Sequence, residues 1–250
     1  MKNIIILFFT ITVLFSCKNK PQHLVKIEGK QLPVTENIYS NKTIEEIIIP
    51  YKEKVEKEMN TILSFSPINL VRTDGELESS LGNLMADLCF LRANPVFNSR
   101  TGKNIDFAMF NYGGIRAGIT QGEITNRHAF NIMPFENSLV VVELTSSKIE
   151  ELVNYLIEGK KAHPLSKQFN LFIKKDGYDL KINNKTIDKT KTYFVLTTDF
   201  LQNGGDHMNF FKDPVDLYVL DYKMRNAIID YFKEIDTVKV TLDGRFRIEN

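Results

Sequence analysis

Four segments of this 250-residue chain bring together residue types that could do chemistry. Asn111-Tyr112-Gly113-Gly114-Ile115-Arg116 follows the apolar run Ile105 to Phe110. A glycine pair after a buried strand frees the backbone to turn and lets a ligand approach it closely. Arg116 can then present a planar fork to phosphate. Spacing alone better describes a tight turn with an exposed arginine. Gly204-Gly205-Asp206 is a second glycine turn, this time holding an acid. Phe135, in Met133-Pro134-Phe135-Glu136-Asn137, and Phe200, in Thr197-Thr198-Asp199-Phe200-Leu201, each sit beside a breaker or polar residue. A loop aromatic can stack on a base for roughly 1–3 kcal/mol. The chain has 18 phenylalanines, so most of them must be core. The fourth segment, Glu78-Ser79-Ser80-Leu81-Gly82-Asn83-Leu84-Met85-Ala86-Asp87, reads as a capped helix with a structural role.

The elements that must position these residues form a mixed pattern. A helix is predicted over Thr43 to Asn60, with Thr43 as N-cap, Glu46 three residues on and Pro50 able to kink it. Ile62 to Val71 reads as a strand, and a helix capped by Ser79 or Ser80 runs to about Ala93. Ile105 to Phe110, Leu139 to Leu144 and Tyr193 to Thr198 read as strands, and Ser147 to Ile157 as a helix. Phe169 to Ile187 has the marks of a hairpin around Lys175-Asp176-Gly177, with a further turn at Asn183-Asn184. Tyr222 to Phe232 reads as a helix, and Val238 to Ile248 as one or two strands. The fold class is α+β, a mixed α/β domain.

Taken together, the four segments resemble the C-terminal domain of the 5'-nucleotidase family. They match E-S-x-x-G-N-L-x-x-D, N-x-G-G-I-R, P-F-x-N and F-L-x-x-G-G-D, in family order, and the resemblance spans about Thr43 to the C-terminus. It implies a four-layer α/β/β/α structure that holds a nucleotide. By motif, Phe135 and Phe200 would sandwich the base and Asn137 would contact it. Asp206 would bond the ribose hydroxyls, Arg116 would meet the phosphate side, Asn111 would add a polar contact, and Gly113 and Gly114 would shape the turn. Several positions depart from the family pattern. Leu77 stands where some members carry a phosphate-binding arginine, Glu136 where glycine is frequent, and His207 where glycine is usual. The stretch Gln168 to Phe172 lacks the family's S-G pair. The Glu136 charge is expected to repel a nearby phosphate.

In that family hydrolysis belongs to a two-metal site in a separate N-terminal metallophosphatase domain, where the metals activate water and clamp phosphoryl oxygens. The four histidines here, His23, His128, His163 and His207, fall outside that domain's signatures and read as surface or structural. No catalytic residue, metal ligand or cofactor is therefore expected in this chain. Divalent metals are expected only on a partner metallophosphatase subunit. The alternatives are a stand-alone receptor for nucleosides or nucleotide-sugars and a degenerate scaffold.

The N-terminus sets the expected location. Lys2, the apolar stretch Ile4 to Phe15 and Leu14-Phe15-Ser16-Cys17 look like a bacterial lipoprotein signal over residues 1–16, with Cys17 the lipidated residue. Residues 17–42 then form a polar, proline-containing tether to a domain over 43–250, held at the cell envelope through the lipid anchor. Loss of residues 1–16 takes only Lys2 among charged residues, leaving 31 basic and 31 acidic side chains. That balance is not that of a nucleic-acid binder. Cys89, among Leu88, Phe90 and Leu91, is expected to be a buried structural thiol with no disulfide partner.

Overall fold

A computed structural model describes residues 23–249, so the lipobox reading at Cys17 lies outside the described residues. Residues 23–41 carry no regular structure beyond a turn at 36–38. Helix α1 (Lys42–Met59) follows, with no buried residue and with Pro50 inside it. Its cap is Asn41 rather than Thr43, because the Asn41 carboxamide oxygen accepts the Thr43 and Ile44 amides at 3.0 and 3.4 Å. Among the described residues no helix is long and apolar enough to cross a membrane.

The central sheet has the order β2-β8-β4-β9, from β2 (Phe107–Ala108), β4 (Ser138–Thr145), β8 (Thr192–Thr198) and β9 (Asp216–Lys223). β4 pairs antiparallel with both β8 and β9, while β2 runs parallel to β8. The Val140-Val141-Val142 run is buried on both faces, as a middle strand between two packed layers requires. On one face lie α2 (Ser80–Thr101), α3 (Asn126–Ile132) and α6 (Met224–Glu234), with Leu139, Val141 and Leu196 in a common core with Leu88, Phe97, Ile228 and Phe232. The other face carries Val142, Leu144 and Val195 into a second core. That core is shared with α4 (Ser146–Gly159) and with a sheet of order β10-β5-β6-β7. Its strands are β5 (Phe169–Lys174), β6 (Gly177–Ile182), β7 (Lys185–Thr186) and β10 (Phe246–Ile248). The mixed α/β class expected from the sequence is the class observed.

Local differences from the sequence reading have physical causes. The first strand, β1 (Ile62–Ser66), stops where Pro67 removes an amide, and pairs with β3 (Gly122–Thr125). β3 and the short α3 are too brief to show a period, so neither is expected from the sequence. Ser79 caps α2 by accepting the Gly82 amide at 3.1 Å. The helix then continues through Pro95 to a left-handed Gly102 cap, well past Ala93, because fully buried Phe97 fixes its last turns to the core. β9 precedes α6, so the expected helix start at Tyr222 falls inside a strand. Of Val238 to Ile248 only the last three residues form a strand, parallel to β5. Cys89 is fully buried, and burial pushes its thiol pKa upward.

The Glu78–Asp87 segment joins the C-terminal loop to α2. Glu78 accepts from the Asn83 carboxamide and the Gly244 amide at 2.8 Å each. Asp87 accepts two bonds from the guanidinium of Arg245, at 2.9 and 3.0 Å, while Asp243 receives another at 2.7 Å. Arg245 is almost fully buried and also donates to the Leu165 carbonyl. A groove of about 530 Å³ runs beside this cluster. Its buried charges are paired with one another and do not reach the glycine turns.

Candidate functional site

The two glycine turns face each other. Tyr112–Gly114 forms one turn of 3-10 helix after β2, and Gly205–His207 forms another after α5 (Asp199–Gln202), the short helix that continues β8. Asn111 Nδ2 donates to Asp206 Oδ2 at 2.6 Å and links the turns. A Cβ at Gly114 would lie 2.7 Å from Asn111 Oδ1, so only glycine lets that side chain reach across. In the other turn Gly204, Asp206 and His207 all have positive φ (89°, 51° and 60°). Two adjacent non-glycine residues in that region cost about 1–2 kcal/mol each, and such strain concentrates where a fold must aim a side chain. Tyr155 of α4 donates its hydroxyl to the Asp206 carbonyl at 3.0 Å and braces this backbone.

Phe200 projects from the first turn of α5. Thr198 caps that helix by accepting the Leu201 amide at 3.4 Å. Asp199 Oδ1 accepts the amides of Phe200 at 2.8 Å and of Ser138 at 3.1 Å, tying the start of β4 to the Phe200 backbone. The Phe200 ring lies against Gly205, where a Cβ would come within 2.4 Å of it. Phe135 projects from the irregular segment between α3 and β4, and both rings are more than 40% exposed.

Asn111, Gly113, Gly114, Arg116, Phe135, Asn137, Phe200 and Asp206 all line one cleft of about 260 Å³. All eight residues singled out from the sequence thus converge, from three loops remote in the chain. The guanidinium of Arg116 lies 6.0 Å from the Phe135 ring centroid, is solvent-exposed, and donates to the Gly113 carbonyl at 3.4 Å. The cleft therefore combines two exposed aromatic side chains, one exposed guanidinium and one oriented carboxylate. That set can stack a flat ring, bond hydroxyls and meet an anion.

Two expected departures take on a different meaning. Glu136 does not line the cleft, and its carboxylate pairs with Arg225 rather than standing free against a phosphate. Leu77 is buried in the second core and does not line the cleft either. Sequence reasoning missed Arg225 and Tyr155, which act on the site from elements distant in the chain, and the part played by Asp199, which sits beside Phe200 but bonds to Ser138 from 61 residues away. No local pattern marks them, because each looks like an ordinary strand-end or helix residue.

The histidines do not form a metal site. His128 accepts the Thr125 amide at 3.0 Å in the capping box of α3, and His207 is exposed. His163 is buried, and its Nδ1 accepts the Tyr112 amide at 3.2 Å, holding the first glycine turn from beneath. Among the described residues no group of three or more His, Cys, Asp or Glu is placed to hold a metal ion. The residues present do not fit a two-metal phosphatase centre.

Burial, reinforced by the Lys161 ammonium, lowers the His163 pKa from 6.5 to about 4. Between those values the unfolded chain binds a proton that the fold does not, so stability rises with pH across this window. It falls as the pH drops through the same window, by up to about 3 kcal/mol once below it. Denaturant midpoints followed across this range should show the loss. His163→Gln, which keeps an acceptor without titrating, should flatten the profile, and an unchanged slope would remove His163 as its source.

The family model described as "5'-nucleotidase, C-terminal domain" matches residues 61–213. The chain is 30% identical over 218 residues to the trifunctional nucleotide phosphoesterase protein YfkN of Bacillus subtilis, covering 77% of this chain and 14% of that protein. It is 28% identical over 189 residues to protein UshA of Escherichia coli, covering 72% of this chain and 32% of that one. The crystal structure of a 5'-nucleotidase precursor from Thermus thermophilus superposes with a TM-score of 0.66 at 24% identity, covering 84% of this chain and 43% of that chain. The chain thus spans less than half the length of each of these three proteins. The family model, which matches more than half of the residues, shows that this chain belongs to the 5'-nucleotidase C-terminal domain family, and the superposition shows the same fold.

Proposed function

We propose that this domain holds a nucleotide or nucleoside between Phe135 and Phe200 and acts with a separate metallophosphatase subunit in nucleotide hydrolysis. The observation that carries the reading is the convergence of both exposed rings with Arg116, Asn137 and Asp206 on one cleft. A purine or pyrimidine is flat and polarizable, and stacking it between two rings recovers the apolar area that the open rings leave to water. Asp206, aimed by its strained backbone and by Asn111, is a double acceptor suited to vicinal ribose hydroxyls. Arg116, exposed at the cleft, suits the phosphate end. The metals that activate water and clamp the phosphoryl group would come from the partner, since the residues described here do not fit such a centre. In this reading Cys17 carries the lipid that holds the domain at the bacterial cell envelope, with residues 17–42 as its tether.

Calorimetric titration of the chain with nucleosides and nucleoside monophosphates, without added metal, tests the binding step. Binding is expected with at least one of them. Phe135→Ala and Phe200→Ala should each weaken it by about 1–3 kcal/mol, roughly 5- to 150-fold. A silent titration against the whole panel would sink the reading. Mixing the chain with a separately purified metallophosphatase partner should raise nucleotide hydrolysis over the phosphatase alone. If neither activity nor association changes while binding persists, the domain is a stand-alone receptor instead. Cys17→Ser should move the protein from the membrane fraction to the soluble fraction, and an unchanged distribution would remove the lipid anchor.

A further inference from the structure

We infer that Arg225 is a positioning residue for the cleft: it aims Phe135 by holding the backbone of the loop that carries the ring, without touching the ligand. The inference rests on the reading that Phe135 stacks on a base. Phe135 sits in an irregular segment between α3 and β4, and its ring is 42% exposed, so packing around the ring does little to orient it. Its direction has to be set by the main chain beneath it.

That main chain is held by three consecutive residues at the junction of β9 and α6. Arg225 Nη1 donates to the carbonyls of Met133 at 3.3 Å and Phe135 at 3.4 Å, and Nη2 pairs with the Glu136 carboxylate. Lys223 Nζ donates to the Glu136 carbonyl at 2.7 Å and to Ser138 Oγ at 2.9 Å. The Met224 amide donates to the Asn137 carbonyl at 3.0 Å. Met133, Phe135, Glu136 and Asn137 therefore all give their carbonyls to residues 223–225.

Arg225 is the centre of this arrangement. Its guanidinium lies over the Phe130 ring at 4.3 Å, and the residue is only 8% exposed. Burying a guanidinium is unfavourable unless its donors are satisfied. Here the bonds that offset burial all run to the Phe135 loop, while Nε has no partner. The planar fork reaches two carbonyls and a carboxylate at once from fixed donor positions, whereas the donors of an ammonium converge on a single nitrogen. Arg225 does not itself line the cleft.

The test is a double-mutant cycle on the full chain, titrated with the tightest-binding of AMP, CMP, GMP and UMP, with thermal melts alongside. Arg225→Met should weaken binding about tenfold, the effect of one charge-assisted bond network lost. In a Phe135→Ala background the same substitution should change affinity little, because the ring it aims is gone. Arg225→Lys and Glu136→Gln, which keep a buried cation or the carbonyl contacts, should fold as the parent does and show intermediate losses. Parental affinity in all three variants would overturn the inference. So would an equal loss with and without the Phe135 ring, since that is what a merely structural role produces. A Phe135→Ala variant with undiminished affinity would instead overturn the stacking reading on which the inference stands.

Discussion

Asn111 and Asp206 are 95 residues apart in sequence, yet their side chains meet at 2.6 Å and draw two glycine turns together. The rest of the site depends on that closeness. Gly114 must lack a side chain for Asn111 to reach across, and Gly205 must lack one for Phe200 to lie flat against the turn. Both turns grow from neighbouring strands, β2 and β8, which pair in parallel at the edge of the central sheet. Parallel pairing puts the C-terminal ends of both strands on the same side, so the residues that follow each strand emerge together. The sheet register thus brings the loops close, and the hydrogen bond fixes their separation.

Around this contact the protein separates groups that build the fold from groups left open. Ser79, Glu78 and Asp87 belong to a conspicuous polar motif, yet their bonds go to the α2 cap, the 241–244 loop and Arg245. His163 is equally occupied, buried and neutral beneath Tyr112. The open groups are few: two aromatic faces, Arg116, and the remaining lone pairs of Asp206. Exposed phenylalanines are unfavourable in water, and an aromatic pair held open in a cleft is the signature of a surface waiting to be covered.

Charge placement follows the same logic. Glu136 sits one residue from Phe135, where a free carboxylate would oppose an anionic ligand. Its carboxylate, largely exposed, pairs with Arg225 and so ties the loop to the start of α6. The carboxylate of Asp206 is instead oriented by Asn111 and kept at the cleft. One acid is drawn to Arg225 and the other is presented to the site.

The sequence alone determined the mixed α/β class, most of the long strands and helices, and all eight residues that line the cleft. It could do so because those features are local: strand and helix periods repeat within a few residues, and the eight residues fall in short motifs that resemble those of the family, where type and spacing alone also fit ordinary turns and core. It did not reveal β3, α3 or β9, whose short or half-exposed stretches carry no clear period. Nor could it show that Glu136 is paired, that Asp199 ties Phe200 to β4, or that Arg225 holds the Phe135 loop. Those facts depend on which strands become neighbours and on what a side chain meets from a remote element. Only the tertiary fold decides them, since a hydrogen bond between residues 89 positions apart, as from Arg225 to Glu136, leaves no trace in the local pattern of either.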